Sequence, residues 1–159
     1  MLGSDGLVPS IPVQENGEVM ANSVERGAPG PRLEELTVDE SLELLAASMI
    51  GRLAYLDDSG PVVLPVNYVM DGGAILLRTT YGALLDTVGS GARVAFEVDR
   101  LDAHTHTGWS VLVRGKAEEV WLPEELDHAR ALPLRSWAPG ERSHFVRIFP
   151  STITGRRIL

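Results

Sequence analysis

Gly60-Pro-Val-Val-Leu-Pro-Val-Asn-Tyr-Val-Met-Asp-Gly-Gly-Ala-Ile-Leu-Leu-Arg-Thr79 decides the fold. Val62, Leu64, Val66 and Tyr68 alternate with Val63, Pro65, Asn67 and Val69, a period of two that reads as a strand with both faces largely apolar. Pro65 brings no amide hydrogen, which places it at a sheet edge or a bulge. Asp71-Gly72-Gly73 is a hairpin turn signal, and Ala74–Thr79 returns as the next strand. Upstream, Ile50–Leu56 has the same period and is separated from the quoted stretch by Asp57-Asp-Ser-Gly-Pro61, a turn cluster. The three strands form an antiparallel meander.

Working outward, Thr37-Val38-Asp39-Glu40 is a capping box, and the apolar stripe of Leu42, Leu45 and Ala46 continues it as a helix to about Ser48. Gly82–Ser90 reads as a short helix with Leu84, Leu85 and Val88 inward. Arg93–Val98 is a fourth strand, and Trp109–Val120 a long fifth with a bend at Gly115. Pro123 suits the first position of a helix reaching about Leu132. Ser136–Glu141 is a loop, and His144–Ile148 with Ile153–Ile158 makes a final strand or hairpin. Some six short antiparallel strands with few helices predict a mainly β fold, a small barrel.

Residues 1–32 hold 5 Gly and 4 Pro and no aromatic residue, whereas all nine aromatics lie beyond them. Without a sustained period of 2 or 3.6, residues 1–34 read as a disordered or loosely attached arm and 35–159 as the domain. Met20 offers an alternative start to Met1. The 159 residues suit one domain with a sizeable core. With 22 acids against 14 bases and a net charge of -8, the chain repels a phosphate backbone, which excludes general nucleic-acid binding. It has no cysteine, so a disulfide framework, a thiolate metal site and a cysteine nucleophile are excluded. No apolar run approaches the roughly 18 residues of a membrane span, and the start lacks the basic and apolar stretches of a signal peptide; the expected location is the cytoplasm.

There is no nucleophile elbow, phosphate loop or dinucleotide fingerprint. His104-x-His106 has chelating spacing but lies in a polar interstrand loop, and a solvated loop is the plainer reading, so no metal site is assigned. Arg78-Thr79-Thr80-Tyr81-Gly82 ends a strand on a guanidinium and two hydroxyls just before a helix. This is either an anion site or an ordinary strand-end Arg with a Thr cap. Asn67 is a poor strand former within an apolar strand; it meets a ligand edge or satisfies an irregularity at Pro65. Trp109 and Trp137 either stack on a flat ligand or fill core and interface.

The ordered set Gly51-Arg-Leu-Ala54, Pro65-Val-Asn-Tyr68, Arg78-Thr79, Val94-Ala-Phe-Glu-Val-Asp99, Thr107-Gly-Trp-Ser-Val-Leu-Val-Arg-Gly115 and Ile153-Thr-Gly-Arg-Arg157 resembles the pyridoxamine 5'-phosphate oxidase-like family of FMN-binding split barrels, over about residues 36–159. The resemblance implies a six-stranded antiparallel split barrel forming a homodimer, with FMN in two clefts at the dimer interface. It puts Pro65, Val66, Asn67 and Tyr68 along the flavin ring, partly through backbone groups, and Arg78, Thr79 and Thr80 at the phosphate. Trp109 and Ser110 approach the ring or ribityl chain, and Trp137 covers the flavin from the second subunit. One departure stands out: family members commonly carry a Lys two residues after the Gly that opens the helix, and here Leu84 occupies that place.

The leading functional expectation is an FMN-dependent oxidoreductase acting on a small planar substrate. No acid or base side chain is obvious, which suits hydride transfer without proton shuttling by the protein. The alternatives are a deazaflavin-dependent reductase on the same fold, against which the net charge argues, and a non-catalytic dimer binding flavin or another planar ligand. Oxidation of vitamin B6 itself ranks low, because no convincing substrate-phosphate residues are present.

Overall fold

The computed structural model describes residues 30–88, 90–135, 137, 140 and 142–159; the expected arm lies outside these except for its last five residues, 30–34. Pro31–Leu159 forms one compact unit. Strand β1 (Leu33–Leu36) is followed by α1 (Val38–Ala47), then β2 (Ile50–Asp57), β3 (Gly60–Asp71) and β4 (Ala74–Thr79). Helix α2 (Ala83–Val88) leads to β5 (Ser90–Asp102) and β6 (Thr107–Glu119), and α3 (Pro123–Ala131) to β7 (His144–Ile158). The strand order is β1-β7-β4-β3-β2-β5-β6, and a further β6–β7 pairing closes six of the strands into a ring. The expected six-stranded antiparallel barrel is present.

Two details differ from the sequence reading. Strand β1 begins at Leu33, inside the segment assigned to the arm, and pairs with Gly155–Ile158. The last element is one strand of 15 residues rather than two pieces. Pro150-Ser-Thr interrupts its apolar pattern, yet β7 stays paired with β6 through a register shift between Arg114 and Gly115. Gly115 makes this possible: a Cβ there would lie 2.2 Å from the Phe149 carbonyl oxygen. At Pro65 the β2–β3 register runs unbroken from Ile50↔Asn67 to Asp57↔Gly60. Pro65 therefore occupies an edge rather than a bulge, because β4 pairs only with Tyr68–Asp71.

The inward faces of the strands make the core, with Leu53, Leu77, Phe96, Val113 and Ile148 fully buried. Helix α1 is capped as its sequence predicts: Glu40 N donates to Thr37 Oγ1 at 3.2 Å and Thr37 N to Glu40 Oε2 at 2.8 Å. Its Leu45 joins the core and its carbonyl accepts from the Tyr68 hydroxyl at 2.6 Å. Tyr68 is 2 % exposed and stacks edge-on against Phe96 at 4.8 Å. Burial pushes its phenol up to about 12. Because the folded protein holds this proton more tightly than an exposed tyrosine, the contribution is complete below about pH 10. It is lost as pH rises toward 12. Tyr68→Phe is expected to cost about 1 kcal/mol by removing one of the two hydrogen bonds that the Leu45 carbonyl accepts, the other coming from the Ser48 amide at 3.3 Å, read as a lowered midpoint in denaturant.

Strand β4 is buried on both faces. Ile75 and Leu77 enter the barrel, whereas Leu76 joins Val120, Ala129, Leu134 and Phe145 in a second cluster that seats α3 outside the ring. Polar contacts hold the same helix. His128 Nε2 lies 2.9 Å from Asp71 Oδ1, and Arg147 reaches Asp71 at 3.1 Å and Glu125 at 3.3 Å. The His128 hydrogen bond, with Arg147 beside it, lowers the Asp71 carboxyl below its usual range. A depressed carboxyl stabilises the fold above its unfolded pKa, and the contribution disappears as pH falls through the folded value. Asp71→Asn is expected to remove that part of the acid-induced fall in melting temperature.

Candidate functional site

Strands β3 and β4 diverge after the Tyr68↔Leu77 pair. Asn67 and Arg78, the next residue on each strand, stand at this fork. The Asn67 amide donates to the Arg135 carbonyl. Arg78 Nε and Nη2 donate to the Arg142 carbonyl at 2.9 and 2.6 Å, and the guanidinium lies 5.0 Å from the Phe145 ring centre. Both carbonyls belong to the connection between α3 and β7. Two side chains singled out in sequence for different reasons therefore direct donors at the two ends of one backbone segment. Those carbonyl oxygens are acceptors of the kind a ring carbonyl or a phosphoryl oxygen presents.

Beyond the fork, Thr79 is 3 % exposed and its hydroxyl donates to the Thr80 carbonyl at 3.2 Å, while Thr80 faces outward. Thr79 pairs with His144, whose Nδ1 is 2.7 Å from Glu119 Oε1. The exposed Tyr81 ring lies 6.1 Å from the His144 ring. Gly82 opens α2 at φ 145°. Leu84 packs against the core, so a side chain at that position is turned inward rather than toward an anion. Arg142, whose carbonyl holds Arg78, brings a second arginine into this part of the chain. Its Nε is buried with no hydrogen-bond partner among the described residues. Sequence reasoning missed Arg142 because it follows a loop with no periodic pattern; its only signal is an Arg directly after Gly140-Glu141.

The other candidates are distributed unevenly. Pro65 is exposed on the free edge of β3, and Val66 packs partly against the core. The Tyr68 ring packs in the core, and its amide donates to the Met49 carbonyl at 3.1 Å. Trp109 packs partly on the core and, with Ser110, lines a separate cavity of about 390 Å³ beside Glu97, Asp99 and Arg156. Arg52 crosses to Glu97 at 2.9 Å and Asp99 at 2.5 Å in the same area. Burial first, and then Asp99, raises the Glu97 carboxyl. Trp137, which falls between Arg135 and Arg142 in the chain, is 63 % exposed. Around His104 and His106, the Asp102 carboxylate accepts from the His104 and Thr105 amides, which shapes the segment as a turn. Among the described residues, no group of three His, Asp or Glu side chains is arranged to hold a metal, and no helix is long and apolar enough to cross a membrane.

The chain is similar to several known proteins. An uncharacterised protein of Mycobacterium tuberculosis is 35% identical over 130 residues, covering 79% of this chain and 85% of that one. The solved structure of an FAD-binding protein from Mycobacterium smegmatis superposes with a TM-score of 0.65 at 33% identity, covering 78% of this chain and 98% of that one. An FAD-binding protein from Mesorhizobium loti gives 0.67 at 25% identity, covering 79% and 97%. Residues 37–157 match the description of the pyridoxamine 5'-phosphate oxidase family, three quarters of the chain and every strand of the closed ring, and the chain belongs to that family.

Proposed function

We propose that the protein is a flavin-dependent oxidoreductase that binds FMN at the fork of β3 and β4 and works as a homodimer on a small planar substrate. The observation that carries this reading is the convergence of Asn67 and Arg78 on acceptor oxygens at the fork, where Arg142 also has a buried Nε with no partner among the described residues. Arg78 holds the phosphate with the Thr79–Thr80 backbone and the Thr80 hydroxyl, and Arg142 takes the charge role for which Leu84 is unsuited. Asn67, Val66 and Pro65 line the ring edge. Trp109 and Ser110 border a different cavity of the same chain. Their part in the flavin site therefore requires a second copy, which also brings Trp137 over the ring. The flavin supplies the hydride or electron transfer when bound; the chain's own residues bind and orient it and exclude water from one face.

A second reading keeps the site and exchanges FMN for FAD, favoured by the two similar FAD-binding proteins. The deazaflavin reading stands behind both, because its acidic tail meets a chain of net charge -8. The test is to mix purified protein with FMN, FAD or a deazaflavin, desalt it and record the visible spectrum alongside the solution mass. Retained flavin bands in a dimer-sized particle support the reading. A colourless protein with all three cofactors overturns it. Turnover of reduced nicotinamide with a quinone or nitroaromatic acceptor then separates an oxidoreductase from a passive binder.

A further inference from the structure

The outer wall formed by β5, β6 and β7 carries a feature that the flavin reading does not use. Arg93 pairs directly with Lys116 across the β5–β6 ladder, and Arg114, two residues before Lys116 on the same face, pairs with Ala95. All three cations are exposed and line one groove of about 650 Å³ with Phe149, Ser151 and Thr152. Four arginines elsewhere in the domain are paired, Arg52 with Glu97 and Asp99, Arg130 with Asp127, Arg147 with Asp71 and Glu125, and Arg157 with Glu40. Among the described residues none of the three groove cations has a carboxylate within 4.0 Å, although Glu118 lines the same groove. Like charges directly opposite each other on a sheet are destabilising. From residue 33 onward this domain has 18 acids for 12 bases, so unneutralised neighbouring cations run against its own composition.

The shape is as particular as the charge. The register shift at Arg114 and Gly115 brings β7 close at Phe149, and Ser151 Oγ donates to the Arg114 carbonyl at 2.9 Å, fixing that edge. Thr152 pairs with Arg114 and Phe149 with Lys116, so a hydroxyl and an aromatic ring share the outward face with the cations. The Phe149 ring is 45 % exposed. Two guanidiniums suit bidentate contact with phosphoryl oxygens, and an ammonium adds a point charge. An exposed ring offers a stacking surface for a planar base.

We infer that the Arg93–Arg114–Lys116 groove is a second ligand site, separate from the fork of β3 and β4, for a phosphate ester that carries a planar ring, of the nucleoside diphosphate class. The guanidiniums take the phosphates and Phe149 takes the ring.

The test uses ADP and inorganic pyrophosphate as probes, titrated calorimetrically into the full chain already saturated with FMN, at low and moderate salt. If the chain takes up no flavin, the same titration is run on the chain alone. ADP binding that weakens with salt, exceeds pyrophosphate binding, and falls by about tenfold or more in the Arg114→Ala/Lys116→Ala variant supports the site. Phe149→Ala is expected to narrow the difference between ADP and pyrophosphate. Absence of ADP binding, equal affinity in the double variant, or loss of binding in Arg78→Ala instead overturns the inference. FMN retention by the groove variant is measured separately, so failure here is distinct from failure of the flavin reading. A final readout is the melting temperature of ligand-free Lys116→Gln. An unchanged or raised value fits a cation kept for a ligand; a fall of several degrees assigns the cations to the wall itself and overturns the proposal.

Discussion

Arg78→Ala is expected to weaken FMN binding by about ten- to a hundredfold, because a hydrogen bond to a charged group contributes about 1.5–3 kcal/mol. The residue also has a structural duty that must be separated from this effect. Its Nε and Nη2 hold the Arg142 carbonyl, and its guanidinium rests near the Phe145 ring. Alanine therefore frees one end of the connection between α3 and β7, and the flavin-free protein is expected to lose about 1–2 kcal/mol as well. Arg78→Lys separates the two roles. It keeps a positive charge at the strand end but loses the planar fork that reaches one carbonyl through two nitrogens. Its flavin affinity is expected to fall between those of wild type and Arg78→Ala. The measurement is FMN affinity by quenching of flavin fluorescence, beside the melting temperature of each apoprotein. A melting temperature that falls in Arg78→Ala with flavin affinity unchanged would make Arg78 a loop clamp only, and the anion site would have to lie elsewhere.

The two candidate residues at the fork were legible in sequence because each breaks a local rule. Asn67 interrupts an apolar strand, and Arg78 follows Ala-Ile-Leu-Leu near the end of another. Such violations of local consistency are where function is expected. Their adjacency follows from the Asp71-Gly72-Gly73 turn, which sets the register Asp71↔Ala74 through Tyr68↔Leu77. What was not legible is that the ladder stops there, so that the two side chains meet the connection between α3 and β7 rather than each other's strand. Tyr68 is legible in a different way. Its neighbours mark it as a site residue, but a period of two sends it to the opposite face from Asn67, and that face is the core. Leu84 was conspicuous as a missing Lys, yet Arg142 could not be offered in its place, because the residue that brings it to the fork lies 64 positions away in the chain. The long β7 was read as two pieces for a related reason. Pro150 breaks the local pattern, and only the pairing with β6 across a register shift keeps the strand continuous.

Gly115→Ala is expected to lower stability by about 3 kcal/mol or more, at or above the upper end for overpacking a core. For a domain of this size that corresponds to a fall of about 10 °C in melting temperature. The added Cβ would meet the Phe149 carbonyl oxygen at 2.2 Å and the Phe149 carbonyl carbon at 2.9 Å. These atoms are backbone, held in the β6–β7 ladder that closes the barrel, so no rotamer change removes the clash. Gly51 provides the comparison. There the added Cβ would meet Phe96 Cζ at 2.2 Å and Cε1 at 2.6 Å, with the Glu97 carbonyl oxygen at 2.9 Å. The nearest atoms belong to a side chain, although a fully buried one. Gly51→Ala is expected to cost about 1–3 kcal/mol, and adding Phe96→Leu should recover part of the loss through a favourable coupling between the two changes. The parallel double variant, Gly115→Ala with Phe149→Leu, is expected to recover nothing, because the obstructing oxygen is present whatever the side chain. Denaturant unfolding of the four variants tests this. Rescue at Gly115 by Phe149→Leu would mean that β6 and β7 can part locally, and barrel closure would then rest on the core side chains rather than on the close approach of the two backbones.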